Sequence, residues 1–349
     1  MTNKLLLEVE NLKTQLPLDE GLLKAVDGVS FSINRGETMG LVGESGCGKS
    51  MTVQTIMRIA PNFAEISGRV SFTRPSGDVV DLTKLDPYGS EIRSIRGGEI
   101  AMIFQEPMTS FSPLHTIGNQ IVEAIRLHRS VDKKQAREIA IDMLDRVGLS
   151  NPRQRFGEYP HLLSGGMRQR AMIAMALSCE PSLLIADEPT TALDVTVQAQ
   201  VLKLMRDLQA EFGMSILYIT HDLGVIARTV DYVAVMYLGQ VVEYTDVDSL
   251  FHNPKHPYTK ALLKSIPKIG RKTRNRLESI QGSVPVPINR PPGCGFFPRC
   301  PVAIKGLCDR VDPPLVQVDG EHDAACFLYP EVVAAAGETT PEGIQHGPA

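Results

Sequence analysis

With 349 residues, 43% of them hydrophobic, the chain is long enough for about two domains and a sizeable core. A formal net charge of -4 gives the surface as a whole no reason to bind nucleic acid. The apolar start Leu5, Leu6, Leu7 is broken by Glu8, and no later segment approaches the roughly 18 uninterrupted apolar residues of a membrane span, so a cytoplasmic chain is expected.

In chain order, residues 5–34 alternate apolar and polar positions around Gly21 and Gly36, which predicts antiparallel strands forming a small sheet. Thr38, Met39, Gly40, Leu41 and Val42 read as a short buried strand, and residues 50–59 as a helix. Between them, Gly43, Glu44, Ser45, Gly46, Cys47, Gly48, Lys49 and Ser50 fit the phosphate-loop pattern G-x-x-x-x-G-K-[ST], continued by Met51. Glycines let backbone amides curl around an anion, and the helix that follows adds its positive N-terminal end. Lys49 supplies a mobile cation for the outer phosphates, and the Ser50 hydroxyl is placed to ligate magnesium.

Residues 66–104 read as further strands and a short helix, ending in the apolar Ile100, Ala101, Met102, Ile103 and Phe104. Gln105 follows, an amide able to touch both metal and water, or simply a polar strand end. The spacing of Ile117, Ile121, Ile125, Ile139, Met143 and Val147 predicts a helical insertion with a break and cap at Ser130, Val131 and Asp132. Ser164, Gly165 and Gly166 open another helix and present a hydroxyl and free amides along its dipole. One nucleotide does not need two cradles, so this surface is expected to cap a nucleotide held by another subunit.

Parallel-sheet character returns in Leu183, Leu184, Ile185 and Ala186 and again in Ser215, Ile216, Leu217, Tyr218 and Ile219, separated by an amphipathic helix over 195–212. The first of these strands ends in Asp187 and Glu188: one carboxylate for a magnesium shell, the second to orient or deprotonate an attacking water. His221 follows the second strand, where a neutral imidazole reaches a γ-phosphate, although a lone strand-end histidine is ordinarily structural. The basic run 268–276 reads as a solvated linker, residues 331–349 read as disordered, and no internal repeat is found.

Residues 43–50, Gln105, residues 163–170 and 183–188, then Thr191, Ala192, Leu193, Asp194 and finally His221 and Asp222 together resemble the ATP-binding-cassette ATPases. They correspond in order to that family's phosphate loop, glutamine loop, signature, magnesium strand, dimer-contact loop and histidine switch, over roughly residues 5–265. The resemblance implies an α/β, RecA-like P-loop NTPase core with an antiparallel β subdomain and a helical insertion at about 106–170. It also implies a head-to-tail dimer in which Ser164, Gly165 and Gly166 close over ATP on the partner and Asp194 links the two sites. Glu188 would be the base, Lys49 the phosphate clamp, Ser50, Gln105 and Asp187 the magnesium neighbours, and His221 the γ-phosphate sensor. The family commonly stacks adenine on an aromatic ahead of the phosphate loop, yet residues 1–30 contain no Phe, Tyr, Trp or His. Leu16 lies near the expected place, which predicts weak discrimination of ATP from GTP.

The segment Asn253, Pro254, Lys255, His256, Pro257, Tyr258, Thr259, the Pro-rich 284–292, and Cys294, Cys300, Cys308 and Cys326 resemble the C-terminal extension of oligopeptide and dipeptide importer ATPases, here residues 266–330. In several of those ATPases the four cysteines are thought to hold a [4Fe-4S] cluster. From the residues a bound metal is the natural reading, since four of six cysteines fall in 33 residues of a chain expected to be reduced, without Cys-x-x-Cys knuckles; cluster, zinc and free thiols stay open, and the resemblance favours the first. The resemblance further implies a second, homologous ATPase subunit, two membrane permeases docking near residues 106–117, where Phe111 and Leu114 are contact or core, an extracytoplasmic solute-binding protein reached indirectly, and a peripheral place on the cytoplasmic face of the membrane. Peptides, oligosaccharides, opines and nickel complexes are all open as cargo. Competing readings are a cytosolic cassette ATPase acting on ribosomes or DNA, which ordinarily carries two cassettes or a long coiled coil, a GTPase, which would need an Asn-Lys-x-Asp reader, and an iron-sulfur electron carrier, which needs no cassette.

Overall fold

The computed structural model describes residues 5–105, 110–191, 194–266, 280 and 282–337. The basic run 268–276, Ala192 and Leu193, residues 106–109 of the expected docking segment and the tail from 338 lie outside the described residues.

The alternating start forms β1 (Leu5–Leu18) and β2 (Gly21–Asn34), paired antiparallel, followed by β3 (Thr38–Val42) and helix α1 (Lys49–Ile56). Then come β4 (Glu65–Thr73), β5 (Val79–Asp81), α2 (Ser90–Ile95) and β6 (Ile100–Ile103). Strands β1, β2, β4 and β5 form an antiparallel sheet in the order β2-β1-β4-β5. Its inner face packs through Leu7, Leu12, Val70 and Phe72 onto Val53 and Ile56 of α1, so that α1 lies between two sheets.

The insertion comprises α3 (Ile117–His128), α4 (Lys133–Arg146), α5 (Pro152–Phe156) and α6 (Gly165–Leu177). The break falls where the sequence puts it: Asp132 accepts from Gln135 N at 2.8 Å while the Gln135 side chain accepts from Asp132 N at 2.9 Å, a reciprocal cap that starts α4. Ile121, Ile125, Ala140, Leu144, Ala171 and Phe111 fuse these helices into the main core, so Phe111 is core, whereas Leu114 is 79% exposed.

After β7 (Leu183–Asp187) the chain forms α7 (Val195–Phe212), β8 (Ser215–Thr220), α8 (Leu223–Thr229), β9 (Tyr232–Tyr237), β10 (Gln240–Asp246), α9 (Val247–His252) and α10 (Pro257–Lys264). Asp194 caps α7, and Gly213 at φ 65° closes it. Strands β3, β7 and β8 are buried throughout, as continuous apolar runs must be in a parallel sheet covered on both faces.

The extension supplies β11 (Val316–Asp319), β12 (His322–Ala324) and α11 (Pro330–Ala335). Strand β12 pairs antiparallel with β10, giving one sheet in the order β11-β12-β10-β9-β3-β8-β7-β6. The extension therefore continues the core sheet. Glu243, fully buried on β10, fastens it by accepting from Lys255 N at 2.6 Å, His256 N at 2.9 Å and the His322 ring at 2.7 Å. Disorder is expected from residue 331, but within the described part of that segment α11 is a helix that buries Val332 against Leu307 and Phe327, an apolar contact that its small-residue composition hides.

Candidate active site

Four parallel strands deliver their carboxyl ends to one edge of the sheet, where α/β folds bind ligands. β3 runs into the phosphate loop, β6 into Gln105, β7 into Asp187 and Glu188, and β8 into His221. A cavity at this edge is lined by Ser45, Gly46, Gly48, Lys49, Ser50, Met51, Gln105 and Glu188, with Leu23, Ala25 and residues 284–287 opposite.

Gly48 sits at φ 106°, and a Cβ there would lie 2.3 Å from the Ala25 carbonyl oxygen, so the loop closes only with glycine. Gly43 is held the same way, 2.3 Å from Met236 O. The buried Lys49 ammonium donates to the Gly43 and Glu44 carbonyls at 2.8 and 3.1 Å and reaches Cys47 Sγ at 3.7 Å. Glu44 is gripped from outside the cassette motifs. Its amide donates to Tyr258 Oη at 2.9 Å, and its carboxylate receives both guanidinium nitrogens of Arg299 at 2.8 and 3.1 Å. Neither contact was legible in the sequence, because they join residues 214 and 255 positions apart.

Asp187 is buried, and its Oδ1 has no hydrogen-bond partner among the described residues. Burial and the neighbouring Glu188 charge push its pKa up, against the Ser50 hydroxyl and Lys49, which pull it down. An orphaned buried carboxylate oxygen beside a serine hydroxyl is a donor set that a magnesium ion fits.

Glu188 adopts φ 47°, a left-handed turn at the strand end. Gln105 Nε2 and Thr191 Oγ1 each donate to Oε2 at 2.9 Å, and His221 Nδ1 lies 2.9 Å from Oε1. Burial raises the Glu188 pKa, but the hydrogen bonds from His221 and Thr191 and the charge of Lys49 outweigh it, and the net shift is downward. The carboxylate is thus ionised at neutral pH and oriented by three neighbours. Gln105 and His221, expected to neighbour metal and γ-phosphate, both meet this carboxylate.

Ser164 caps α6 by accepting from Met167 N at 3.3 Å and is exposed, away from the walls of the phosphate-loop cavity. Asp194 is committed to α7, accepting from Thr196 N and Val197 N at 3.0 Å. Gln169, which the sequence reading passed over, is buried and donates to Pro189 O at 2.6 Å, tying α6 to the turn after Glu188. Leu16 is 7% exposed and off the cavity wall; the next strand's Leu23, opposite it in register, lines the wall instead.

Cys294, Cys300, Cys308 and Cys326 all line one apolar cavity with Phe296 and Phe327. Burial, reinforced by the other cysteines, pushes Cys294 up to about 11 and Cys326 up to about 12. Among the described residues, no three His, Cys, Asp or Glu side chains are grouped as a metal ion requires, so the expected cluster has no support from side-chain convergence. Cys47 and Cys179 lie elsewhere, buried and half-buried.

Residues 26–191 match the ABC transporter family model, and residues 242–308 match that of the oligopeptide/dipeptide transporter C-terminal region. The chain is 52% identical to the oligopeptide transport ATP-binding protein AppD of Bacillus subtilis over 93% of its own length and 97% of AppD. With the dipeptide transport ATP-binding protein DppD of Escherichia coli it shares 44% identity, over 93% of the chain and 97% of that relative. A dimeric ATP-binding cassette solved in a post-hydrolysis state with ADP and Pi superposes with a TM-score of 0.60 at 25% identity, covering 69% of this chain and 98% of that one. Motifs, sheet-edge site and relatives agree: the chain belongs to the ABC transporter ATPases, on the branch defined by the oligopeptide/dipeptide transporter C-terminal region.

Proposed function

We propose that this ATPase powers uptake of peptides through membrane permeases, with Glu188 as the base that activates water. The observation that carries the assignment is the three-sided hold on the Glu188 carboxylate by Gln105, Thr191 and His221, next to the phosphate loop. Lys49 and the loop amides around Gly46 and Gly48 bind the phosphates. Magnesium would be held by Ser50 and Asp187, and when bound it supplies positive charge against the phosphate oxygens. Gln105 and His221 orient Glu188 and, through it, the attacking water.

Ser164, Gly165 and Gly166 act on a second subunit's nucleotide. The exposure of Ser164 and Gly165 off the walls of this chain's own phosphate cavity and the dimeric state of the similar cassette support that reading. The partner is a homologous ATPase subunit, and Asp194 lies at the contact between the two. Exposed Leu114 and Leu162 are apolar side chains free for a permease, and a solute-binding protein delivers cargo on the far side. Among the described residues no helix is long and apolar enough to cross a membrane, in keeping with a subunit peripheral to it on the cytoplasmic face. A cytosolic role on ribosomes or DNA is not favoured, since the C-terminal match is to a transporter region.

Glu188→Gln is expected to reduce steady-state ATP turnover by about 10²–10⁴-fold while ATP still binds. Unchanged turnover would remove Glu188 from the role of base. For the four cysteines the proposal is a [4Fe-4S] cluster acting as a structural clasp, and what supports it is that all four thiols line one apolar cavity. Anaerobically purified protein should contain iron and sulfide; metal-free protein with all four thiols titratable would end this part of the reading.

A further inference from the structure

A segment of the C-terminal extension, residues 284–287, forms one wall of the cavity whose other end is the phosphate loop. It is built in place. Pro287 O accepts from Lys24 N at 3.2 Å, Asn289 N donates to Leu22 O at 2.9 Å, and Leu22 N donates to Asn289 Oδ1 at 3.0 Å, so the strap lies against β2 with Leu23 bridged to Ile288. Gly21 makes this possible, because a Cβ there would stand 2.1 Å from Asn289 Nδ2. At the other end Arg299, which holds Glu44 of the phosphate loop, also donates to Gly282 O at 3.3 Å. The strap is therefore pinned both to the hairpin and to the loop that receives the phosphates.

We propose that residues 284–287 form the base-binding wall of the nucleotide site, covering the face of a purine with Pro285 and Val286 opposite Leu23 and Ala25. This rests on the reading of the cavity as the nucleotide site. A triphosphate gripped at Gly46, Gly48 and Lys49 leaves its nucleoside to extend toward the remaining walls, and those walls carry no polar side chain. Residues 1–30 contain no aromatic side chain, Phe31 is buried in the core, and Leu16 is withdrawn there too. Prolines offer a flat apolar surface without an N–H to read a base edge, so the wall binds the ring face of adenine or guanine and discriminates weakly between them.

The chain contains no tryptophan, and Val286 is 69% exposed, so Val286→Trp places a single fluorophore on the proposed wall of the full-length protein. ATP and GTP should each change its emission and bind about three- to tenfold more tightly than to the unmodified chain, as ring stacking provides. Inorganic tripolyphosphate should bind equally to both proteins and leave the emission unchanged. Val286→Ser should weaken ATP by about threefold and tripolyphosphate not at all. ATP binding without an emission change, equal losses of ATP and tripolyphosphate in Val286→Ser, or tighter ATP binding in that variant would each overturn the base wall. Failure of the unmodified chain to bind either ligand would instead overturn the nucleotide-site reading itself.

Discussion

Asp187 and Glu188 are adjacent in sequence yet titrate in opposite directions: burial lifts the first, whereas donors from His221 and Thr191 carry the second below the ordinary carboxylate range despite its burial. The split follows from their partners: Glu188 receives hydrogen bonds from Gln105, Thr191 and His221, whereas one oxygen of the more deeply buried Asp187 has no partner among the described residues. A base with a lowered pKa stays ionised as pH falls, so the acid limb of the ATPase profile should lie below the usual glutamate range. His221→Ala removes the foremost of the groups that lower it and should move that limb to higher pH; an acid limb that does not move would separate His221 from Glu188 ionisation. The residue types at the site were legible because each ends a strand in a motif of fixed spacing. Their mutual contacts were not: Gln105 to Glu188 spans 83 positions and Gln169 to Pro189 joins two elements, and spacing carries no information on such pairs.

Among the elements, local chemistry decided what the sequence could foretell. The continuous apolar runs of β3, β7 and β8 and the cap of α4 at Asp132 all act within a few residues, and each falls where the pattern predicts. The docking of β12 on β10 and of residues 284–289 on β2 depends on partners far away in the chain, with Leu22 and Asn289 separated by 267 positions. Burial of Glu243, His256 and His322 at that junction has a consequence for pH. Burial lowers His256 to about 4 from an ordinary value of 6.5, and its Nδ1 accepts from Tyr258 N at 3.1 Å, which requires the neutral ring. The unfolded chain takes up a proton near 6.5 that the folded chain refuses until about 4, so stability is fully present above 6.5 and is lost as pH falls toward 4. The loss at the lower end is roughly 2–3 kcal/mol. Glu243, whose pKa is lowered by His322 and the Lys255 amide against the larger effect of burial, adds a loss of the same sign at lower pH. Thermal melts from pH 7 to 4 should show the decline, and His256→Gln should flatten it; an equally steep decline in that variant would assign it to other groups.

For the whole molecule, the extension belongs to the cassette mechanically. It adds two strands to the core sheet, and Arg299, on the turn between Cys294 and Cys300, reaches into the phosphate loop at Glu44. Whatever holds the cysteines in place also holds Arg299, which gives the cysteine lobe a physical route to the nucleotide end of the fold. Ser164 lies off the walls of the phosphate-loop cavity in the single chain, and in the proposed reading a second subunit brings such a surface to the phosphates. The most direct measurement is the structure of the closed, ATP-loaded assembly formed by the Glu188→Gln protein and its partner subunit. The account predicts that Ser164 contacts the γ-phosphate of the nucleotide seated on the partner's phosphate loop; a closed assembly in which Ser164 is remote from every γ-phosphate would contradict it.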